Sequence, residues 1–173
     1  MKKAAPRRAP RRGVSVSGAI EGDAKAQLDG FLDKFDPKVA SLGRKALVLM
    51  RKRLPGAIEM VYDNYNALAI GFSHTGKVRT TPFSIVLYPR WVTLFFLHGA
   101  ALPDPKGLLE GKGSTVRSIR IETASSLAAT FKDEDVNALF VAGLLHAGWR
   151  LDPKAKGRIV IRSISAKQRP RRP

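Results

Sequence analysis

The sequence predicts an α+β fold, an antiparallel β-sheet of about five to six strands with two N-terminal helices and one C-terminal helix on one face. Three observations predict it. Two segments with apolar residues at helical spacing come first. Five strand-like segments follow them without an intervening helical pattern. A further helical segment then precedes the last strand-like segment, so helices and strands are largely segregated along the chain.

The first two helices are predicted from apolar stripes. Residues 23–35 have four apolar side chains at helical spacing, Leu28, Phe31, Leu32 and Phe35. Asp36 and Pro37 are predicted to begin a second helix, as an N-cap followed by proline at the first helical position. The second helix is predicted to run to about Arg53, where three basic residues complement the helix dipole.

Six later segments are predicted to be strands, and a third helix precedes the last of them. The strands are residues 57–63, 67–73, 82–88, 91–97, 116–122 and 157–164. Pro89 and Arg90 form a two-residue linker, so the strands on either side of it are predicted to pair as an antiparallel hairpin. Asp133 and Asp135 can cap a helix over about residues 134–147.

The charge distribution divides the chain into one domain and two arms. The 173 residues have a net charge of +17, of which residues 1–16 hold +6 and residues 165–173 hold +4, with no acid in either end. Both ends mix Pro, Arg and Ala without a period that would bury one face. We therefore predict a disordered basic arm over 1–18, a single α+β domain over 19–164 and a disordered basic tail over 165–173.

The basic arms predict contact with polyanions. Arginine side chains on extended, proline-rich backbone neutralise phosphates and release counterions. The candidate nucleic-acid-binding residues are Arg7, Arg8, Arg11, Arg12, Arg169, Arg171 and Arg172. The alternative interpretation is that these charges only keep the chain soluble and attract polyanions without selectivity.

Composition excludes several classes of site. The absence of Cys excludes disulfides, thiolate zinc sites, Cys-held iron–sulfur clusters and cysteine nucleophiles. His74, His98 and His146 lie far apart without a local ligand partner, so we expect no metal and no cofactor. No nucleophile–base signature is present either, so we expect no catalytic residues. No apolar run approaches the roughly 18 residues of a membrane span, and we expect a cytoplasmic protein with no membrane partner.

A glycine-rich loop is the first candidate ligand site. In "DPKGLLEGKGSTVR" (104–117), Lys112 and Arg117 stand beside glycines whose backbone N–H groups can cradle an anion. The loop is not a P-loop, because three residues instead of four separate Gly107 from Gly111 and a strand follows instead of a helix. A tight connector at the edge of the sheet is the alternative interpretation.

Two other segments have aromatic and polar side chains suited to a ligand. Tyr62, Asn64 and Tyr65 supply rings and an amide that can stack on and hydrogen-bond a ligand, although they also suit an ordinary turn. Arg90 and Trp91 can stack bases or a flat ligand, although aromatic residues at strand spacing also suit a core. The candidate ligand-binding residues are Tyr62, Asn64, Tyr65, Arg90, Trp91, Lys112 and Arg117.

Three segments carry a family resemblance: "GAIEMVYDNYNALAIGFS" (56–73), "FSIVLYPRWVTLFFLHGAALPDPKGLLEGKGSTVRSI" (83–119) and "GRIVIRSISAKQRPRRP" (157–173). They resemble the YdhG-like family, a group of small bacterial domains of unknown function. The resemblance covers about residues 25–147, with the last strand and tail similar to one subgroup, and it implies an α+β fold. Some members have been proposed as frataxin-like iron chaperones. This chain departs from that pattern, because its central segment is basic and its acids are scattered.

The sequence therefore predicts a non-catalytic binding or accessory domain, more in keeping with a binding protein than with an enzyme. We expect a pocket for a small anionic ligand between the 62–66 segment and the 107–117 loop. Association with nucleic acid through the basic arms and frataxin-like iron delivery are the alternatives.

Overall fold

The structure, a computed structural model, describes residues 21–173. The helices in that range are α1 (Glu21–Asp33), α2 (Pro37–Arg53), α3 (Ala124–Lys132) and α4 (Glu134–His146). The strands are β1 (Ile58–Asp63), β2 (Leu68–Ser73), β3 (Phe83–Leu87), β4 (Val92–Phe96), β5 (Arg117–Ile121) and β6 (Arg158–Ile164). The predicted N-terminal arm, with Arg7, Arg8, Arg11 and Arg12, lies outside the described residues.

The six strands form one mixed sheet in the order β5-β4-β3-β2-β1-β6. The α+β class is confirmed, but the prediction of a purely antiparallel sheet is wrong, because β6 pairs with β1 in parallel. The four pairings among β1 to β5 are antiparallel. Alternation of apolar and polar residues does not encode strand direction. The long connection through β5, α3 and α4 brings the chain back beside β1 in the same direction.

A fourth helix, α3, was missed by the sequence prediction of a single C-terminal helix. The hydroxyl of Thr123 accepts a hydrogen bond from the Ser126 backbone N–H, and the Ser126 hydroxyl accepts one from the Thr123 N–H. This capping box begins a helix of nine residues. Only Leu127 and Phe131 of α3 are buried, so the helix has too few apolar positions to show a periodic stripe.

All four helices pack on the same face of the sheet. Phe140 of α4 lies at the centre of this layer, with ring centroids 4.7 Å from Phe83, 5.3 Å from Phe96 and 5.9 Å from Phe131. Gly143, one turn later, allows α4 to approach the sheet closely, because a Cβ there would lie 2.7 Å from the Phe83 ring. None of the helices within residues 21–173 has both the length and the apolar character needed to cross a bilayer.

Residues 165–173 are packed on the domain, in contrast to the predicted disordered tail. The Ser165 N–H donates to the Asp63 carbonyl oxygen at 2.8 Å, and the Arg169 N–H donates to the Tyr65 carbonyl oxygen at 2.9 Å. The Arg171 side chain is only 3% exposed and donates to the Asp63 carboxylate at 2.8 Å. A basic tail with little apolar content is held here because the buried carboxylate of Asp63 requires a cationic partner.

The candidate ligand-binding face

The second face of the sheet carries none of the four α-helices within residues 21–173, although Thr81 packs over Gly71 and the side chains of Met60, Ser84, Val86 and Thr93 on this face are buried. In each strand, residues alternate between the helix-covered core and this opposite side. We call this side the open face, and the register places on it Met60, Tyr62, Ala69, Gly71, Ser84, Val86, Thr93, Phe95, Ser118 and Arg120. One row across the sheet runs from Tyr62 through the middle strands to Thr93 and Arg120.

Four aromatic side chains are partly exposed on the open face and its margin. Tyr62 lies on β1 and Phe95 on β4, while Tyr88 and Trp91 flank the β3–β4 turn. The Tyr88 N–H donates to the Trp91 carbonyl oxygen at 2.9 Å, and the two ring centroids are 5.4 Å apart. The Arg120 guanidinium carbon lies 3.9 Å from the Trp91 ring centroid. The result is a short stack of two rings and a guanidinium group at one end of the open face.

Arginine side chains stand on both edges of the open face. Arg120 is on edge strand β5, where it pairs with Glu122 at 2.6 Å, and it remains 48% exposed. On the opposite edge strand, Arg162 is the extra residue of a β-bulge between Ile161 and Ser163, and it is exposed. Five interstrand spacings separate the two edges, a span of roughly 24 Å. The aromatic side chains therefore lie between two cationic margins.

The structure does not bring together the two halves of the predicted anion pocket. Tyr62 and Trp91 share the open face, with β2 and β3 between their strands. Arg117 pairs with Phe96, at the end of β4 opposite to Trp91. The 62–66 segment and the 107–117 loop consequently lie at opposite ends of the sheet, and they do not enclose one site.

The glycine-rich loop already holds an anion from its own chain. The Asp104 carboxylate accepts hydrogen bonds from the backbone N–H groups of Leu108 and Leu109 at 2.9 and 2.8 Å. Arg117 donates to the carbonyl oxygens of Gly113 and Val116. The polar groups of the loop thus hydrogen-bond to one another. This arrangement fits a tight connector at the edge of the sheet better than a site for an external anion. Lys112 is exposed within it.

The predicted residues after β1 contact the C-terminal tail. Arg171 donates to the Asn64 carbonyl oxygen, and the Arg169 guanidinium lies 5.6 Å from the Tyr65 ring centroid. Arg172 donates from Nε to the Phe35 carbonyl oxygen at 3.2 Å. Arg171 is therefore committed to the fold rather than free to contact phosphate. Local sequence patterns do not predict these contacts, because the residues that make them lie about a hundred positions or more apart in the chain.

A cavity that lies at the start of β1 and β6 was not predicted from the sequence. It has a volume of about 350 Å³, and its charged lining residues are Lys25, Arg51, Glu59 and Arg158. Arg51 donates two hydrogen bonds to the buried Glu59 carboxylate at 2.6 and 2.8 Å. That hydrogen bonding raises the pKa of Arg51 above its usual value despite partial burial. We call this the Glu59 cavity. The helix dipole alone accounts for Arg51 in the sequence, and only the fold brings Glu59 beside it.

The histidines are less isolated than their sequence positions suggest. His98 follows β4 and His146 ends α4, and their ring centroids are 5.0 Å apart. His74 lies 5.4 Å from Trp149. Among residues 21–173, no group of three or more His, Asp or Glu side chains is placed to hold a metal ion.

Arg90 lies in the β3–β4 turn and is exposed beside Trp91. The structure thus places Tyr62, Arg90 and Trp91 of the predicted ligand residues on or beside the open face, and the other four elsewhere. Comparison with known proteins finds no matching family model, no similar curated protein and no similar solved structure.

Proposed function

We propose that this chain is a non-catalytic binding protein that takes single-stranded nucleic acid across its open face. The observation that carries the proposal is the set of partly exposed rings of Tyr62, Tyr88, Trp91 and Phe95 between arginine-bearing edges. The YdhG-like family assignment is kept as a proposal too, supported by the three segments quoted above and by the α+β class.

The chemistry of the open face matches an unpaired strand better than a duplex. Unstacked bases bind to aromatic rings on an uncovered sheet, as in the common sheet-based RNA-binding modules. Stacking of one base contributes about 1 to 3 kcal/mol and tolerates any base. The guanidinium group of Arg120 suits the same partner, because it packs on the Trp91 ring and about half of the Arg120 side chain remains exposed. Arg162 is placed to neutralise a phosphate at one edge, and Arg120, now paired with the exposed Glu122, is placed to exchange that partner for a phosphate at the other.

The N-terminal sequence supports the same partner. Residues 1–16 carry six basic residues and no acid. Such a segment adds affinity that depends on salt and not on base sequence. We therefore propose that specificity for an unpaired strand comes from the open face and that the terminal arginines raise affinity.

Reversing the charge of Arg120 is expected to weaken binding of a labelled single-stranded oligonucleotide. Arg120→Glu removes a phosphate partner and the cation on Trp91, and we expect a loss of about tenfold or more, corresponding to 1.4 kcal/mol. Fluorescence anisotropy with a 20-nucleotide strand at fixed salt measures the change. Arg150→Glu is the matched control, because Arg150 is also exposed but lies in the segment after α4, outside the strands of the sheet.

The aromatic contribution is separated from the charge by Tyr62→Ala. This variant is expected to weaken single-strand binding without changing the slope of log affinity against log salt, since no charge is lost. Equal affinities of the wild type, Arg120→Glu and Tyr62→Ala for the single strand would contradict the proposed use of the open face. Binding of duplex as tightly as of single strand would contradict the preference for unpaired bases.

A second candidate function is the binding of a small anion in the Glu59 cavity. Three basic side chains line the cavity against one carboxylate that is already paired with Arg51. Lys25 is itself paired with Asp29 at 2.8 Å, so Arg158 supplies the remaining positive charge, which favours an anionic ligand of a size compatible with about 350 Å³.

Removing the Arg158 charge is expected to weaken pyrophosphate binding about tenfold, the loss of one charge-assisted hydrogen bond. Isothermal titration calorimetry of Arg158→Gln against the wild type measures it. Arg150→Gln, at an exposed arginine after α4 that does not line the cavity, is the matched control and should bind pyrophosphate as the wild type does. Equal pyrophosphate affinities of all three proteins would rule out the Glu59 cavity as the site.

A further inference from the structure

The surface between α2 and α3 carries an apolar groove. The groove has a volume of about 450 Å³, and its apolar lining comes from Val48, Leu49, Ala124, Leu127 and Ala128. Val48 is 48% exposed at its centre. We call this the α2–α3 groove. Its lining is apolar, and yet none of the described residues fills it.

A second hollow of about 480 Å³ extends the groove toward the start of α2, sharing Lys45 and Ala124 with it. The combined length follows α2 from Pro37 to Leu49, about 20 Å at the rise of a helix. That length accommodates roughly three turns of a partner helix. A helix in a groove is anchored by apolar side chains at i, i+3, i+4 and i+7.

The rim of the groove is basic. Lys38, Arg44 and Lys45 line its two hollows, and Lys52 lies on α2 one turn after Val48. Arg44 is paired with Asp33 at 2.6 Å. The acid that lines the groove, Glu122, is paired with Arg120. Lysine charge therefore dominates the rim, and a partner must bring acidic residues beside its apolar stripe.

Charge also decides between the possible occupants. Residues 1–20 of this chain have six basic residues and no acid, so they would place like charges against the lysine rim. A second copy, at a net charge of +17, is opposed by the same repulsion. We propose that the α2–α3 groove binds an acidic amphipathic helix of another protein. The proposal does not rest on nucleic-acid binding by the open face, and the two surfaces share only the Arg120–Glu122 ion pair.

The test uses a labelled 16-residue peptide with leucines at positions i, i+3, i+4 and i+7 of a helix and glutamates on the other positions. We expect saturable binding to the full chain by fluorescence anisotropy. Val48→Glu places a carboxylate at the centre of the groove and should weaken binding about tenfold or more. Val141→Glu is the matched control, because Val141 is an exposed valine of α4 outside the groove and should leave binding unchanged.

Three further results overturn the proposal. They are equal binding of the peptide by Val48→Glu and the wild type, equal binding of a peptide with lysines in place of the glutamates, and a wild-type dimer that Val48→Glu dissociates, seen by light scattering. The last would assign the groove to a second copy. Because Val48 is half exposed, Val48→Glu is expected to fold, and a wild-type circular dichroism spectrum would establish that its lost binding is local.

Discussion

Replacing Asp63 with Asn is expected to destabilise the chain by about 3 kcal/mol or more, because it leaves a buried guanidinium without an opposite charge. The Asp63 side chain is fully buried and accepts from Arg171 at 2.8 Å and from Lys34 at 2.7 Å. Arg171 is itself only 3% exposed, so water does not compensate for the lost carboxylate. Urea denaturation followed by circular dichroism measures the loss in the free energy of unfolding.

Two companion variants show whether the buried charge is the cause. Lys34→Met removes the partner that is 39% exposed, and it should cost less than Asp63→Asn, since solvent screens that ion pair. The double variant Asp63→Asn with Arg171→Met removes both buried charges and should regain part of the lost stability. A double variant less stable than Asp63→Asn alone would show that the effect comes from packing instead.

The Asp63 carboxyl group also predicts how the stability of the chain depends on pH. Burial alone would raise the pKa of Asp63, but hydrogen bonds from Lys34, Gln168 and Arg171 and the charge of Lys34 outweigh it and hold the pKa below its usual value. A carboxyl with a lower pKa in the folded state contributes stability above its unfolded pKa, about 3.9, and loses it as the pH falls through the folded value. The difference in stability between wild type and Asp63→Asn should therefore be full at neutral pH and narrow below about pH 4.

Replacing Phe140 with Ala is expected to destabilise the chain by about 3 to 5 kcal/mol, since it opens a cavity at the centre of the core. Phe140 is 1% exposed and joins rings from the sheet and from α3. The Phe140 ring centroid also lies 4.4 Å from the guanidinium carbon of Arg53. Burial lowers the pKa of Arg53 below its usual value. Loss of the ring removes an aromatic partner from that partly desolvated cation. Thermal and urea unfolding both measure the effect.

The matched control is Leu145→Ala on the same helix. Leu145 is 76% exposed, so its truncation should change the free energy of unfolding by less than about 0.5 kcal/mol. Comparable losses in the two variants would contradict the role of Phe140 in the core, since Ala has a higher helix propensity than Phe or Leu and propensity cannot account for either loss. Phe140→Ala is also expected to loosen α3, because Arg53 donates to the Phe131 carbonyl oxygen at 3.1 Å near the missing ring.

Six strands and three of the four helices could be predicted from local patterns. The Asp36–Pro37 pair begins α2, with the Asp36 carboxylate accepting from the Lys38 N–H at 2.9 Å. Asp133 caps α4 as expected, accepting from the backbone N–H groups of Asp135 and Val136. Capping and apolar periodicity are properties of neighbouring residues, so one sequence is enough to reveal them.

The candidate site depended on the sheet order, which local patterns do not contain. Trp91 and Arg120 are brought together because β4 and β5 are neighbours, and Tyr62 joins their face through the register of β1 to β4. Lys112 and Arg117, chosen for their charge beside glycines, lie at the other end of the sheet. Charge and glycine content predicted a loop suited to an anion, but they did not show that Asp104 would satisfy its N–H groups.

The elements, their order and the strong positive charge follow from composition, capping and periodicity along the chain. The direction of β6, the packing of residues 165–173 and the partner of each buried charge depend on contacts between distant segments. Burial of Asp63 makes a cation necessary, but the choice of Arg171 depends on which segment the fold brings within hydrogen-bond distance. The basic tail, which composition alone marks as disordered, is ordered through that single requirement and its neighbouring hydrogen bonds.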